Sequence, residues 1–326
     1  MFPTRRICFF LLPVAVLLLT SSLSRGQNTA PPRPQITGVS HVGYFVSDLP
    51  KTLAFWHDLL GFDEYTTLNK PGTDQIRIAF IKINDHQHIE LFTGAPPSPP
   101  NMMSHYCFSV SNVDEMRTYL RAKGFEVKPG NGDKTHTGDY AFEIKDPDGT
   151  LVEFVQSLPT GIEIEDAGKF MPPTRIADAI YHVGFLVGNL DKSLAFYEGI
   201  LGFTETWRGS SNGTELSWVN LRVPDGKDYI ELMLYGKMPS HFGAQNHVSL
   251  VVADVEKAVA ELEARPAYKT YLTYGKPLTV QVGKNGKRQL NLYDPDGTRV
   301  ELMEAQTADG RPAPPSTAPP PAPAHE

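Results

Sequence analysis

Residues 40–62 read SHVGYFVSDLPKTLAFWHDLLGF, and residues 181–203 read YHVGFLVGNLDKSLAFYEGILGF. The two segments align without a gap at an offset of 141 positions, which places His41 on His182 and Gly61 on Gly202. The same offset relates Glu90 to Glu231 further along the chain. A self-similarity that keeps register over this distance indicates that the fold is built from copies of one structural unit.

A second pair of segments extends the repeat to four copies. Residues 104–116 read SHYCFSVSNVDEM, residues 246–258 read NHVSLVVADVEKA, and both of these copies close with DPDGT before a glutamate. Each of the four copies opens with a histidine in an apolar run and closes with a glutamate in another, 48 to 54 residues later. The histidines are His41, His105, His182 and His247, and the glutamates are Glu90, Glu153, Glu231 and Glu301.

The first copy predicts a strand, a helix and three further strands. The small, aromatic and β-branched residues of SHVGYFV favour a strand. Ser47 or Asp48 can cap the following helix, Pro50 suits its first turn, and Gly61 can end it with a positive φ. The runs IRIAFIKI and HIELF then alternate as strands do. We therefore predict an α+β fold with four βαβββ modules paired into two half-barrel clefts.

A glutamate inside an apolar strand needs a physical explanation. An unpaired buried carboxylate costs several kcal/mol, against a total stability of about 5–15 kcal/mol for a typical protein. Strand alternation places Glu90 on one face with His88 and Phe92, whereas Ile89 and Leu91 lie on the other face, towards the helix. The glutamates are therefore predicted to face a cleft, where they meet water, a cation or a metal ion.

The opening histidines face the same cleft. Gly43 and its equivalent Gly184 leave space beside the ring, and two modules around one cleft supply two imidazoles and two carboxylates. This donor set suits a six-coordinate divalent ion such as Ni²⁺, Zn²⁺, Fe²⁺, Mn²⁺ or Co²⁺. A core histidine and an edge glutamate explain any single copy, but their joint recurrence in four copies favours metal ligands. Modules can pair 1 with 2 and 3 with 4, or 1 with 4 and 2 with 3.

The repeated segments, the DPDGTxVE ends and the glutamate strands resemble the vicinal oxygen chelate superfamily. This superfamily includes glyoxalase I, fosfomycin and bleomycin resistance proteins, methylmalonyl-CoA epimerase and extradiol dioxygenases. The resemblance covers about residues 37–156 and 177–304. It implies that the four histidines and four glutamates are metal ligands, and that a glutamate of the set also acts in catalysis. The residues so assigned are His41, Glu90, His105, Glu153, His182, Glu231, His247 and Glu301.

A His-Glu-His-Glu set is similar to that of bacterial-type glyoxalase I. The resemblance implies a metal-dependent lyase or isomerase that acts on a small α-hydroxycarbonyl or hemithioacetal through a metal-stabilised enediolate. Two alternatives stay open: a ring-cleaving extradiol-type dioxygenase, and a non-catalytic binder of a small molecule or metal. The dioxygenase branch typically uses two His and one Glu. The segment KTHTGDYAFEIKDPDGTLVE partly resembles its signature and would give His136 an acid–base role; an exposed loop position is the favoured interpretation of His136.

The chain ends carry the targeting and low-complexity signals. Arg5 and Arg6 precede a run of 14 apolar residues, too short for a membrane span, and cleavage before Gln27 is plausible. We expect export to the periplasm or outside the cell. The predicted segments are a signal peptide (1–26), a Pro-rich lead-in (27–36), a first glyoxalase-like domain (37–156), a linker (157–176), a second glyoxalase-like domain (177–304) and a disordered Pro/Ala tail (305–326).

Composition limits the partners. The 326-residue chain has a formal net charge of −7, which disfavours nucleic acid and anionic membranes. The expected partner is a small-molecule substrate, with no nucleic acid and no stable membrane span after signal removal, and the protein is expected to be a monomer or a homodimer. Cys8 lies in the signal segment, so Cys107 is left without an intramolecular partner and is interpreted as a buried inert thiol.

Overall fold

The computed structural model describes residues 31–96, 102–128, 133–234 and 245–312. The strands of the first half are β1 (Ile36–Val46), β2 (Glu64–Asn69), β3 (Ile76–Asn84), β4 (Gln87–Thr93), β5 (Met103–Val110), β6 (Asp133–Lys134), β7 (Tyr140–Lys145) and β8 (Leu151–Gln156). The strands of the second half are β9 (Ala179–Leu186), β10 (Thr204–Gly209), β11 (Trp218–Arg222), β12 (Tyr229–Met233), β13 (His247–Val252), β14 (Gln281–Val282), β15 (Lys287–Tyr293) and β16 (Arg299–Thr307).

Short helices separate these strands. The helices are α1 (Leu49–Ala54), continued by a π-helix (Phe55–Leu59), then α2 (Val113–Ala122), α3 (Ile162–Glu165), α4 (Leu190–Tyr197), α5 (Val255–Ala264) and α6 (Ala267–Tyr271). The first three modules therefore have the predicted order of one strand, a helical segment and three strands, and the fourth has two helices, α5 and α6, in the helical position. Two curled mixed sheets with few helices confirm the predicted α+β class.

Two consecutive modules share each sheet. The first sheet has the strand order β2-β3-β4-β1-β5-β8-β7-β6, and the second repeats it as β10-β11-β12-β9-β13-β16-β15-β14. The opening strands of two modules pair antiparallel at the centre, and each lies parallel to the closing strand of its own module. The pairing that the sequence left open is therefore 1 with 2 and 3 with 4.

The first helix forms as its sequence indicates. The Asp48 side chain accepts a hydrogen bond from the Lys51 backbone N–H at 3.2 Å, and proline occupies the first turn. The chain leaves the π-helical turn at Gly61 with a φ of +79°. A Cβ atom at this position would collide with the Thr174 carbonyl, so both the conformation and the space require glycine.

Strand alternation divides the two faces of each sheet. In β4, Ile89 and Leu91 are buried in the hydrophobic core under the helices. Between them Glu90 projects into the cleft on the other face, together with His88 and Phe92. This confirms the predicted facing of the strand and explains how one glutamate fits into an apolar run.

The two halves share one core. The Tyr106 ring stacks on Phe185 of the second half with centroids 4.6 Å apart, and the Tyr197 hydroxyl of the second half donates to Asp146 at 3.1 Å. The reciprocal turn of the second half meets the first half, where the Ser47 backbone N–H donates to Asp296 at 2.9 Å. Both aspartates belong to DPDG turns, so these turns fix the halves against each other as well as leading into the last strands.

The predicted signal peptide, and residues 313–326 of the predicted tail, lie outside the described residues. The tail was predicted to begin at residue 305, but β16 continues to Thr307. The predicted linker, residues 157–176, contains α3. Among the helices that the structure describes, none combines the length and the apolar character needed to cross a bilayer.

Candidate metal centres in the two clefts

The four predicted residues of the first half meet at the floor of one cleft. His41 on β1 and His105 on β5 come from the central antiparallel pair, and their Nε2 atoms lie 3.0 Å apart. Glu90 on β4 and Glu153 on β8 join them from the two flanking strands. All four residues line a single cavity of about 180 Å³.

Glu153 and Glu90 approach the imidazoles at different distances. Oε2 of Glu153 lies 3.1 Å from Nε2 of His41 and 3.2 Å from Nε2 of His105. Oε2 of Glu90 lies 3.5 Å from Nε2 of His105, and its Oε1 lies 3.9 Å from Nε2 of His41. Glu153 is therefore held by both rings, whereas Glu90 has more freedom.

These separations suit donors that share one divalent ion. Ligand atoms about 2.1 Å from a metal lie roughly 3 Å apart when they are adjacent and roughly 4 Å apart when they are opposite. The observed range of 3.0–3.9 Å falls within those limits. Two nitrogen and two oxygen donors, buried together at the end of a cleft, form a group that can hold a divalent metal ion.

Serine residues orient the two imidazoles. Oγ of Ser40 lies 3.1 Å from Nδ1 of His41, and Oγ of Ser104 lies 3.3 Å from Nδ1 of His105. When the hydroxyl accepts the Nδ1 proton, Nε2 keeps its lone pair directed into the cleft. The register between β1 and β5 shifts between Val39 and His41, so a β-bulge turns Ser40 to the cleft side.

The glycine two positions after each opening histidine makes room for the other ring. A Cβ atom on Gly43 would lie 2.6 Å from Cε1 of His105, and Gly184 faces the ring of His247 in the same way. The sequence predicted space beside the histidine ring. The structure shows that the ring in question comes from the following module.

The charges of the first cleft stabilise one another. Burial raises the pKa of Glu153, but hydrogen bonds from His105 and His41 outweigh burial, and the net pKa lies below the ordinary value. For Glu90, burial is likewise outweighed, mainly by the charge of His41, and the pKa is lowered. Burial lowers the pKa of His105, yet the hydrogen bond that His105 donates to Glu153 raises it overall. Metal binding at His105 competes with its protonation.

His88 and Glu163 form a second layer behind these four residues, which was not predicted from the sequence. The His88 ring stacks on His41 with centroids 4.4 Å apart, and its Nε2 lies 3.6 Å from Oε1 of Glu90. Its Nδ1 lies 3.4 Å from Oε1 of Glu163 on α3, which also accepts a hydrogen bond from Ser157. Burial lowers the pKa of His88, but Glu163 and Glu90 raise it to about 9. The signal for His88 was its position two residues before Glu90, on the same face.

Other residues define the cavity wall. The His136 side chain is exposed, as the favoured interpretation held, but it also lines the cavity and stacks on Phe80 with centroids 5.9 Å apart. Cys107 is fully buried, and burial raises the pKa of its thiol. This agrees with the interpretation of Cys107 as an inert thiol.

The second cleft brings the equivalent four residues together in a different state. The Nε2 atoms of His182 and His247 lie 3.0 Å apart, and Oε2 of Glu301 lies 3.4 Å from Nε2 of His182. Glu231 is further away, with its Oε1 4.0 Å from Nε2 of His247. The distances between carboxylates and imidazoles are longer than those of the first cleft, the distance between the two imidazoles is the same, and the two histidines have no exposed surface.

A cation contacts one histidine of this second group. Nη2 of Arg299 lies 3.0 Å from Nε2 of His247 and also contacts its Nδ1. Burial, with the charge of Arg299, lowers the pKa of His182 and His247. Burial and then Glu301 raise the pKa of Glu231 to about 8. In the second cleft the two imidazoles and the Glu231 carboxyl therefore favour their neutral forms. In the first cleft His105, Glu90 and Glu153 favour their charged forms.

The fold and the first cleft define a class of paired-module proteins with a candidate His/Glu metal centre, and comparison with known proteins gives the family. The model of the Glyoxalase/Bleomycin resistance protein/Dioxygenase superfamily matches residues 38–154 and 179–302, so the chain belongs to this superfamily. Its members are generally metal-dependent enzymes that act on small molecules.

Curated relatives include both enzyme branches. The chain is 26% identical to a lactoylglutathione lyase of Arabidopsis thaliana over 50% of this chain and 53% of that protein. It is 27% identical to a biphenyl-2,3-diol 1,2-dioxygenase of Metapseudomonas furukawaii over 40% of this chain and 41% of that protein. The chain thus spans about half the length, or less, of these relatives.

Solved structures share the fold at low identity. A homoprotocatechuate 2,3-dioxygenase variant from Brevibacterium fuscum matches with a TM-score of 0.63 and 17% identity over 88% of this chain and 76% of that chain. The Mn(II)-bound glyoxalase from Novosphingobium aromaticivorans matches with a TM-score of 0.61 and 19% identity, covering 88% and 89% of the two chains. These similarities support the architecture.

Proposed function

We propose that the protein is an exported, divalent-metal-dependent lyase or isomerase of glyoxalase type, and that its first cleft carries the reaction. The observation that supports this most directly is the convergence of His41, Glu90, His105 and Glu153 on one point. A carboxylate from the closing strand of each module distinguishes this set from a two-histidine, one-carboxylate site.

The size of the cleft favours a small substrate. Its volume of about 180 Å³ is below the roughly 300–1,000 Å³ of sites for drug-sized ligands. A three- or four-carbon α-hydroxycarbonyl, or its adduct with a small thiol, fits this space better than a large conjugate. Leu68, Ile78 and Phe92 supply an apolar wall beside the charged floor.

A divalent ion held by His41, Glu90, His105 and Glu153 would supply Lewis-acid polarisation of a substrate carbonyl, which would acidify the adjacent C–H bond. The residues of this chain then move one proton from one carbon to the next, so the isomerisation consumes no oxidant. Glu90 is the better placed base, because its oxygens lie 3.5–3.9 Å from the imidazoles whereas both rings hold Glu153. His88 contacts Glu90 from behind and can hold its orientation.

The test uses the full chain after purification and loading with Ni²⁺, Zn²⁺, Fe²⁺, Mn²⁺ or Co²⁺ in turn. Methylglyoxal with a small thiol or with glutathione is the substrate pair, and product formation is followed with and without a chelator. Turnover that the chelator abolishes and that Glu90→Gln removes supports the proposal. Glu231→Gln is the matched control in the second cleft. If the protein binds metal but turns over neither thiol adduct, the proposed activity is contradicted, although the metal-binding part of the proposal still holds.

A ring-cleaving dioxygenase is the second function that one observation favours. The His136 ring lies at the cavity wall against Phe80, where an acid–base group could reach a bound ring. Oxygen uptake by the Fe²⁺-loaded chain in the presence of catechol tests this directly. Oxygen consumption that His136→Phe removes would favour the dioxygenase, and product formation without oxygen uptake would favour the isomerase.

Export forms part of the proposal. The N-terminal residues carry the arginine pair and apolar run of a signal peptide, and mass spectrometry of the protein from its natural host is expected to find an N-terminus at Gln27. An N-terminus at Met1 in the soluble fraction would contradict export.

A further inference from the structure

The second cleft contains a cavity that the proposed reaction does not use. Its volume is about 250 Å³, and it opens on the concave face of the second sheet, between β9, β10, β11, β12 and β15. Tyr181 and Tyr229 line it at the positions that Ser40 and His88 hold in the first cleft. None of His182, Glu231, His247 and Glu301 is among its lining residues.

The cavity is cationic. Arg222, Lys227 and Lys287 line it, and no acidic residue does. Within the described part of the chain, no carboxylate forms an ion pair with any of these three side chains. Nζ of Lys287 donates to the Tyr181 hydroxyl at 2.6 Å and lies 4.7 Å from the ring centroid of Tyr181, which fixes the ammonium group at the wall. The wall therefore carries positive charge that an anionic ligand can neutralise.

An unpaired polar atom lies in the same cavity. Asn220 on β11 pairs with Glu231 on β12 and is 5% exposed. Its Oδ1 atom has no hydrogen-bond partner among the described residues. A buried amide oxygen without a donor costs free energy. A ligand hydroxyl or a water molecule beside Asn220 can supply the missing hydrogen bond.

The remaining wall is aromatic. Tyr229 stacks on His182 with centroids 4.5 Å apart, and the Tyr181 ring meets Tyr229 edge-on at 5.0 Å. Trp207 completes the aromatic side of the cavity. Flat faces next to cations favour a planar ligand that carries negative charge.

We propose that the second cleft is a metal-independent binding site for a small hydroxylated aromatic carboxylate. The carboxylate pairs with Arg222 and Lys287, the hydroxyl donates to Asn220, and the ring packs on Tyr229 and Trp207. This site is separate from the reaction proposed for the first cleft, because it shares no lining residue with it.

Isothermal titration calorimetry of the full chain with 4-hydroxybenzoate, in the presence of excess chelator, tests the proposal. We expect saturable binding at one site per chain. Lys287→Met and Arg222→Met are each expected to weaken it by about tenfold or more, because hydrogen bonds to charged groups are worth that much. Lys192→Met, at an exposed position on α4 outside the cavity, is the matched control and is expected to leave the affinity unchanged.

Two further ligands separate the parts of the proposal. 4-Hydroxybenzamide keeps the shape without the charge, and inorganic phosphate keeps charge without the ring; both are expected to bind at least tenfold more weakly than 4-hydroxybenzoate. Equal binding of either ligand, no binding of 4-hydroxybenzoate at millimolar concentration, or loss of binding on chelation would overturn the proposal. Asn220→Leu, whose folding is checked by thermal unfolding, is expected to reduce the affinity for 4-hydroxybenzoate more than that for benzoate.

Discussion

Nη2 of Arg299 lies 3.0 Å from Nε2 of His247, the same nitrogen that faces His182 at 3.0 Å. Nδ1 of His247 is 2.8 Å from the Gln245 carbonyl. In the tautomer whose Nδ1 donates to that carbonyl, the guanidinium can donate to the Nε2 lone pair that a metal would need. In the first half the residue opposite His105 is Leu151. Arg299 against Leu151 is thus one of the side-chain differences between two clefts with the same His-Glu-His-Glu set.

We expect one tightly bound divalent ion per chain. The guanidinium excludes a cation from the second cleft by charge and by occupying the His247 nitrogen. Elemental analysis after dialysis measures the ratio of metal to protein. His41→Ala is expected to reduce it to near zero, and the matched His182→Ala change is expected to leave it near one.

Arg299→Leu copies the first-half residue and is expected to raise the ratio from one towards two. The variant removes the cation, which leaves His182, His247 and Glu301 able to share an ion. A wild-type chain that already binds two ions, or a variant that keeps one, would show that Arg299 does not control the second group.

Glu90→Gln is expected to lower kcat for the isomerisation by roughly 10²–10⁴-fold, because an amide cannot take the proton. The matched Glu231→Gln change is expected to alter kcat less than about threefold. Steady-state kinetics at saturating metal give both values. Similar losses in both variants would mean that the second cleft contributes to the reaction.

Glu163→Gln is expected to retain the metal but to slow turnover by about 10–100-fold, the usual effect of an outer partner of a metal ligand or base. Glu163 contacts His88, which contacts Glu90, so the change acts on the orientation of Glu90. Metal titration and kcat are measured together. Glu165→Gln, on the exposed side of α3, is the control. Loss of metal with kcat per bound ion unchanged would contradict a positioning role.

Gly43→Ala is expected to destabilise the fold by about 1–3 kcal/mol, the usual cost of overpacking. The added methyl group would lie 2.6 Å from Cε1 of His105, so the ring must move and metal affinity must fall as well. Gly184→Ala is expected to cost similar stability without changing metal affinity. Thermal unfolding and a competition assay with a chelating dye separate the two effects.

The stability of the protein should decrease between about pH 4 and pH 6 through Asp228. Burial raises the pKa of this carboxyl from 3.8 to about 6 in the folded state, although the Val39 backbone N–H donates to it at 2.9 Å. Between those values the folded state binds more protons than the unfolded state, so rising pH favours unfolding, and the effect is complete above pH 6.

Asp228→Asn keeps the acceptor for Val39 and removes the titration. The variant is expected to be more stable than the wild type by about 1–2 kcal/mol at pH 8 and equally stable near pH 4. Urea unfolding at both pH values measures the difference, and Asp178→Asn, with a side chain that is 93% exposed, is the control. An equal difference at both pH values would contradict this origin.

Much of the fold and of the site was predictable because their signals are local or periodic. Alternation placed Glu90 on the cleft face, and the helix caps and Gly61 marked the first helix. The role of Arg299 was within reach as well: it stands two residues before Glu301 and shares its strand face, where the other half has Leu151. The prediction treated the two His-Glu-His-Glu sets as equivalent and did not consider that difference.

The sequence alone determined the four modules and the histidine and glutamate that each contributes, because both follow from a repeated pattern with strand and helix periods. It could not determine which modules share a sheet, since either pairing brings together the same kinds of ligand. Only the tertiary structure paired consecutive modules, brought Glu163 of α3 to His88, and set Arg299 against His247. Those contacts depend on packing between residues distant in the chain, and that packing decides which cleft is free to hold a metal ion.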